Sequence, residues 1–162
     1  MPAPEFLIHA SEGWSRFYSD SKMVSTGVMY VHLAGLLLGG GAAVAADRET
    51  LKAAGEADPV RADHLVFLGT VHAIALTGLA MLAVSGVLML LADLETFWDT
   101  RVFWIKMSLV ALLLANGAVM QQAERRARTL PATAWRQLKL TSVVSLVLWF
   151  AVLLAGTILA SS

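Results

Sequence analysis

The chain has no cysteine among its 162 residues. That excludes a disulfide framework, a thiolate metal site and a cysteine nucleophile. Charge is scarce as well: Asp, Glu, Lys and Arg make up only 15% of the residues, and the formal net charge is zero. A nucleic-acid binder needs a surplus of cations to displace the counterions of phosphate, so that class of partner is excluded. Hydrolytic and phosphate-handling motifs are missing too. There is no GxSxG, HExxH or Walker loop, and no glycine fingerprint preceded by a strand. The balance lies against an enzyme, and no catalytic residue is assigned.

What is present is apolar. Hydrophobic residues account for 57% of the chain, and the mean hydropathy is +0.68. Soluble domains run at about 45–50% apolar and about 25% charged. A chain this short cannot bury so much apolar surface against itself, so its main solvent is lipid.

A bilayer core about 30 Å thick takes about 20 apolar residues per helix. Residues 24–46, 65–92, 103–122 and 138–160 meet that length. The second span would reach about 42 Å at 1.5 Å per residue, so it tilts or projects beyond the core. Connections of modest length make an antiparallel up-down four-helix bundle the simplest arrangement of this all-α integral membrane protein. Residues 1–23 carry Phe6, Leu7, Trp14, Phe17 and Tyr18 among polar neighbours, the pattern of a short amphipathic helix on the outer surface. The chain thus divides into that segment and a transmembrane domain over 24–162. No apolar signal region precedes the first span, which is therefore the expected signal anchor. Trp98 and Trp104 stand where an interfacial aromatic belt belongs. Breaks are expected across residues 53–59 and at Leu130-Pro131.

Cations set the direction. Arg48, Lys52, Arg61, Arg125, Arg126, Arg128, Arg136 and Lys139 fall on one side, and Arg16, Lys22, Arg101 and Lys106 on the other. The positive-inside rule puts loops 47–64 and 123–137 in the cytoplasm and both termini outside.

Helices in lipid associate through close packing and hydrogen bonds. In the first span Gly35 and Gly39 have small-xxx-small spacing and share a face with Ser25, Met29 and His32. That face serves either the bundle itself or a partner: another membrane subunit, or a second copy joined through Gly35 and Gly39. The fourth span repeats Ser142, Ser145, Trp149, Val152 and Gly156 at the same steps.

Ionisable groups inside a span are costly and mark candidate sites. They are His32, His72 and Lys106. His32 reads as a haem or metal ligand, a proton carrier, or a neutral imidazole bonded between helices, and its glycine-rich face leaves room for a flat group or a close backbone. His72 has Thr70 and Thr77 as a polar neighbourhood. Lys106 either snorkels to the outer interface or pairs with the face of His32. His64 reads as an interfacial residue beside Asp63, and His9 carries no signal. From the span centres, His32 and His72 differ in depth by about 13 Å. That favours one haem on one histidine, or two separate sites, over one iron clamped by both. Met29 and Met107 lie towards the same outer ends as His32, and thioether plus imidazole suits Cu(I). Asn116, Gln121 and Gln122 are expected to bond between helices.

The run His32-Leu-Ala-Gly-Leu-Leu-Leu-Gly-Gly-Gly41 resembles the opening helix of the copper-resistance protein D group. The run from Phe103-Trp-Ile-Lys106 to Asn116 resembles that group's third helix. Thr77-Gly78, Ser85-Gly86 and Asp47-Arg48 look like small four-span bacterial families. A histidine in helix one with a lysine in helix three is also similar to the haem-containing four-span protoporphyrinogen oxidases. That resemblance implies His32 as haem ligand and Lys106 as its companion. The expectation is a bacterial inner-membrane protein with a b-type haem or redox site at His32, His72 and Lys106, serving electron transfer. Two alternatives stand beside it: a non-catalytic accessory subunit of a larger membrane complex, and copper transport through His32, Met29 and Met107.

Overall fold

The computed structural model describes residues 4–56, 58–128 and 131–161. Ala57 and Leu130, which fall within the expected breaks, lie outside the described residues together with Thr129. Among the described residues there are six helices and no strand: α1 Glu5–Asp20, α2 Lys22–Ala53, α3 Asp58–Ala92, α4 Leu94–Asp99, α5 Arg101–Ala127 and α6 Pro131–Ser161. Helices α2, α3, α5 and α6 are long and apolar enough to cross a membrane. Only 11–17% of their most apolar windows is buried in protein, so most of that apolar surface faces outward, as a lipid solvent requires.

The helices outrun the apolar spans. Residues 47–53 and 123–127, expected as loop, are the last turns of α2 and α5. The physical reason is propensity: Ala, Arg and Glu occur in both stretches, with Leu and Lys in the first, all strong helix formers, and no glycine or proline stops them. Lys52 and Glu49, 2.7 Å apart, add a local ion pair to the end of α2. The two cation-rich connections shrink accordingly.

Helices α2 and α3 lie in opposite register, with His32 against Ser85, Gly39 against Gly78, and Thr50 against His64. Their closest approach is backbone on backbone. A β-carbon on Gly35 would lie 2.9 Å from the Gly78 carbonyl oxygen, and one on Gly78 would overlap the Gly39 backbone. Here α2 widens into a single π turn, Leu36–Gly40. The glycine face is therefore filled by α3, so Gly35 and Gly39 are not free to receive a partner or a flat group. Helices α5 and α6 form the second close pair, tied by Asn116 Nδ2 donating to the Thr141 carbonyl at 2.9 Å. Asn116 thus bonds between helices as its type suggested.

The halves join through α2 and α6, where Gly40 sits against the Trp149 ring. The continuous core gathers at the end that carries the α2–α3 and α5–α6 connections: Ala53, Leu65, Leu68, Ala123, Ala127, Ala134, Trp135 and Leu138. Arg61 stacks over the Trp135 ring at 5.3 Å and donates to the Ala54 carbonyl. At the opposite end α1 is fastened to α3, with Trp14 Nε1 donating to Leu88 O at 2.8 Å and Ser15 Oγ to Ala92 O at 2.7 Å.

Gly78→Ala forces α2 and α3 apart and is expected to cost about 1–3 kcal/mol, the usual range for overpacking. Gly117→Ala meets open space and should be neutral or slightly stabilising. Thermal unfolding of the two variants in mild detergent compares them directly.

Candidate functional site

Gly40 and Asp47 are seven residues apart, two turns, and so share one face of α2. With no side chain at Gly40, Trp149 of α6 approaches closely (3.2 Å from where a Gly40 β-carbon would be). Asp47 consequently lies deep between α2 and α6, 2% exposed, beside Ser142 and Ser145. Its Oδ2 has no hydrogen-bond partner. A buried polar atom left unpaired is costly, so this oxygen asks for an explanation.

On α5, Glu124 follows Gly117 and Gln121 at helical steps. Its side chain is 12% exposed, and its Oε1 lies 3.6 Å from His72 Nε2 on α3. That is ion-pair range but too long for a hydrogen bond, and Oε1 has no hydrogen-bond partner. Between these groups lies a cavity of about 270 Å³. Asp47, His72, Gln121, Glu124, Ser145 and Trp149 form its polar and aromatic wall, and Leu76, Leu79, Leu113 and Leu114 its apolar wall. No lysine or arginine is in the lining. A second recess of similar volume shares His72, Gln121 and Glu124 with it and adds Gly69, Arg125 and Arg128. Among the described residues, no group of three His, Asp or Glu side chains is arranged to hold a metal ion.

A second polar place lies towards the chain termini. Ser85 is buried on α3, and its hydroxyl donates to its own helix at Met81 O, 2.5 Å away. Its single proton being used there, the 2.9 Å contact with His32 Nδ1 assigns the ring proton to Nδ1. Nε2 is then the bare nitrogen. Gly86 leaves room for the ring, with a β-carbon there 3.6 Å from Cε1. Lys106 reaches in from α5: it exerts a Coulombic influence on His32, and its Nζ lies 3.5 Å from where a Gly156 β-carbon would be.

Comparison with family models, with curated proteins and with solved structures finds no match to this chain. The likeness to the copper-resistance and haem-oxidase groups therefore rests on the quoted residues alone.

The structure thus brings His32 and Lys106 near one another and sets His72 apart. Ser85 and His72 are about 20 Å apart along α3 at 1.5 Å per residue, a wider separation than the span centres suggested. The polar company of His72 is Glu124 from another helix. Thr70 is exposed and Thr77 bonds to its own helix at Ala73 O. Met29 and Met107 are 40% and 36% exposed. His64 is covered by protein. It is buried, and its Nε2 meets Thr50 Oγ1 at 2.8 Å while that hydroxyl donates to Ala46 O. His9 is exposed. Asp47 and Glu124 were missed because each falls just past an apolar run. The available signal was their continuation of helical stripes, Gly40–Asp47 and Gly117–Gln121–Glu124.

Thr50→Val leaves the buried His64 N–H without an acceptor and is expected to lower stability by about 1–3 kcal/mol. Adding His64→Phe removes the orphaned donor and should recover part of that loss. Denaturation of the single and double variants in detergent measures both.

Proposed function

We propose that this chain is a multi-pass protein of the bacterial inner membrane whose working centre is a protonatable site at Asp47, His72 and Glu124. In this reading α2, α3, α5 and α6 form an antiparallel up-down bundle. Both termini lie outside with α1 along the outer surface, and the connections rich in Lys and Arg face the cytoplasm. The observation that carries the reading is the buried Asp47 carboxyl, with a bare oxygen beside a cavity that Glu124 and His72 also line. The Ser145 and Ser142 hydroxyls act on this carboxyl as hydrogen-bond donors, and a carboxylate inside a membrane protein is still costly. It is tolerated when it holds a proton or a cation, so occupancy of the cavity and protonation of the carboxyl are linked. His72 and Glu124 border both the cavity and the recess with Arg125 and Arg128, which gives protons a route to the cytoplasmic face.

A second reading is favoured by His32. Its Nδ1 is held by Ser85, which leaves Nε2 as the free nitrogen, the arrangement that orients a ligating imidazole. A single-histidine b-type haem would have to lie away from the Gly35–Gly39 face, which α3 fills, and the depth difference along α3 speaks against a clamp of His32 with His72. His32 would hold the iron, Ser85 would fix the ring, and Lys106 would stand beside it as a cation. A haem bound there supplies one-electron redox chemistry.

For the first reading, infrared pH-difference spectra of the purified protein should contain a carboxylic-acid carbonyl band. Asp47→Asn removes one component and Glu124→Gln another. An unchanged spectrum in both variants overturns the reading.

For the second, a reduced-minus-oxidised visible spectrum should show one b-type haem per chain, lost in His32→Ala and kept in His72→Ala. A colourless wild-type protein ends it.

A further inference from the structure

We propose that the cavity between α2, α3, α5 and α6 binds an organic monocation, an amine or quaternary ammonium with an apolar body. The inference rests on the reading of Asp47 and Glu124 as a working carboxyl pair, and adds the class of ligand they take.

Three observations converge. Charge comes first: the lining contains two carboxyls and an imidazole and no lysine or arginine, with Arg128 acting on Glu124 from the neighbouring recess. Asp47 is 2% exposed with an unpartnered oxygen, and Glu124 offers a second such oxygen. A cation answers both atoms, whereas an anion would add to the repulsion and a neutral apolar molecule would leave them unpaired.

Shape and polarity come next. The cavity has a volume of about 270 Å³, just below the roughly 300–1,000 Å³ typical of small-molecule sites. Leu76, Leu79, Leu113 and Leu114 also line it, a surface with no use for a hydrated metal ion. The lack of a three-ligand His, Asp or Glu group among the described residues points the same way, since hard cations take several oxygen ligands.

The third observation is Trp149. Its ring is buried, held from one side by Gly40, and lines the same cavity as the carboxyls. An aromatic ring lining the same cavity as two carboxyls supplies the residue types that recognise alkylammonium groups.

Benzyltrimethylammonium is a suitable probe, because neopentylbenzene has the same shape without the charge. Both are titrated into the full chain in mild detergent by isothermal calorimetry. The expected result is saturable binding of the cation at one per chain, and no matching signal from the neutral compound. Glu124→Gln and Asp47→Asn should each weaken binding about tenfold or more. Trp149→Leu should weaken it about threefold, with Trp149→Phe restoring most of the affinity. Where Asp47→Asn does not fold, Glu124→Gln, on the less buried flank, decides.

Equal binding of the neutral isostere overturns the proposal, as does cation binding that survives both carboxyl substitutions. Absence of saturable cation binding in a folded wild-type protein also overturns it. If the infrared carboxyl band persists in that case, the protonatable site stands and only the ligand assignment falls. If the band is absent as well, both fall.

Discussion

The contact of Gly35 and Gly39 with Gly78 is the constraint on which the remaining structure depends. Two helix backbones meet there with no side chain between them. In lipid, where apolar burial gives no net drive, that closeness supplies the dispersion contacts that hold the pair together. It also fixes register. With Gly39 set against Gly78, one helical repeat after another falls into place: His32 reaches Ser85 in one direction and Thr50 reaches His64 in the other. A slide of one residue would separate both pairs and leave two buried hydroxyls facing the wrong neighbours.

The same constraint orients the second face of α2. Gly40 and Asp47 point about 100° away from Gly39, because consecutive residues on an α-helix turn by that angle. Once Gly39 is committed to α3, Gly40 and Asp47 are committed to α6, and Trp149 closes on the vacant surface of Gly40. The burial of Asp47 is thus a consequence of where the glycines are. An alanine at position 40 would put a methyl group 3.2 Å from the Trp149 ring and loosen the same joint.

The four long helices were legible in the sequence because span length is a strong physical signal: only about 20 apolar residues cross a bilayer. Asn116 was legible too, as a polar amide in a lipid-exposed helix has few partners other than a neighbouring helix. The ends were not. Apolar runs stop at Ala46 and near Gln122, but Ala, Arg, Glu, Leu and Lys continue a helix as readily as leucine alone does. Drawing the boundary at the hydropathy edge therefore assigned Asp47 and Glu124 to loops and hid the cavity they line. The contacts of His64 and His72 were missed for a related reason. Their partners Thr50 and Glu124 come from other helices, and sequence spacing does not reveal a pairing across helices.

Several buried hydroxyls among the described residues are answered locally. Ser85 bonds to Met81, Thr50 to Ala46, and Thr141 to Gln137, each through its own helix. Hydroxyls that bond back to their own carbonyls need nothing from outside, which suits a protein with little internal volume. Asp47 Oδ2, Glu124 Oε1 and Ser142 Oγ break this pattern, and they break it in one neighbourhood. Sequences specify their folds by agreement between local and global demands, and disagreement gathers where something other than stability is served. An alanine at 47 or 124 would end the conflict at little cost to helix formation. Retaining Asp47 beside Ser142 and Ser145, and Glu124 beside His72, with an oxygen of each still bare next to an open volume, is the conflict that the proposed proton and cation site would resolve.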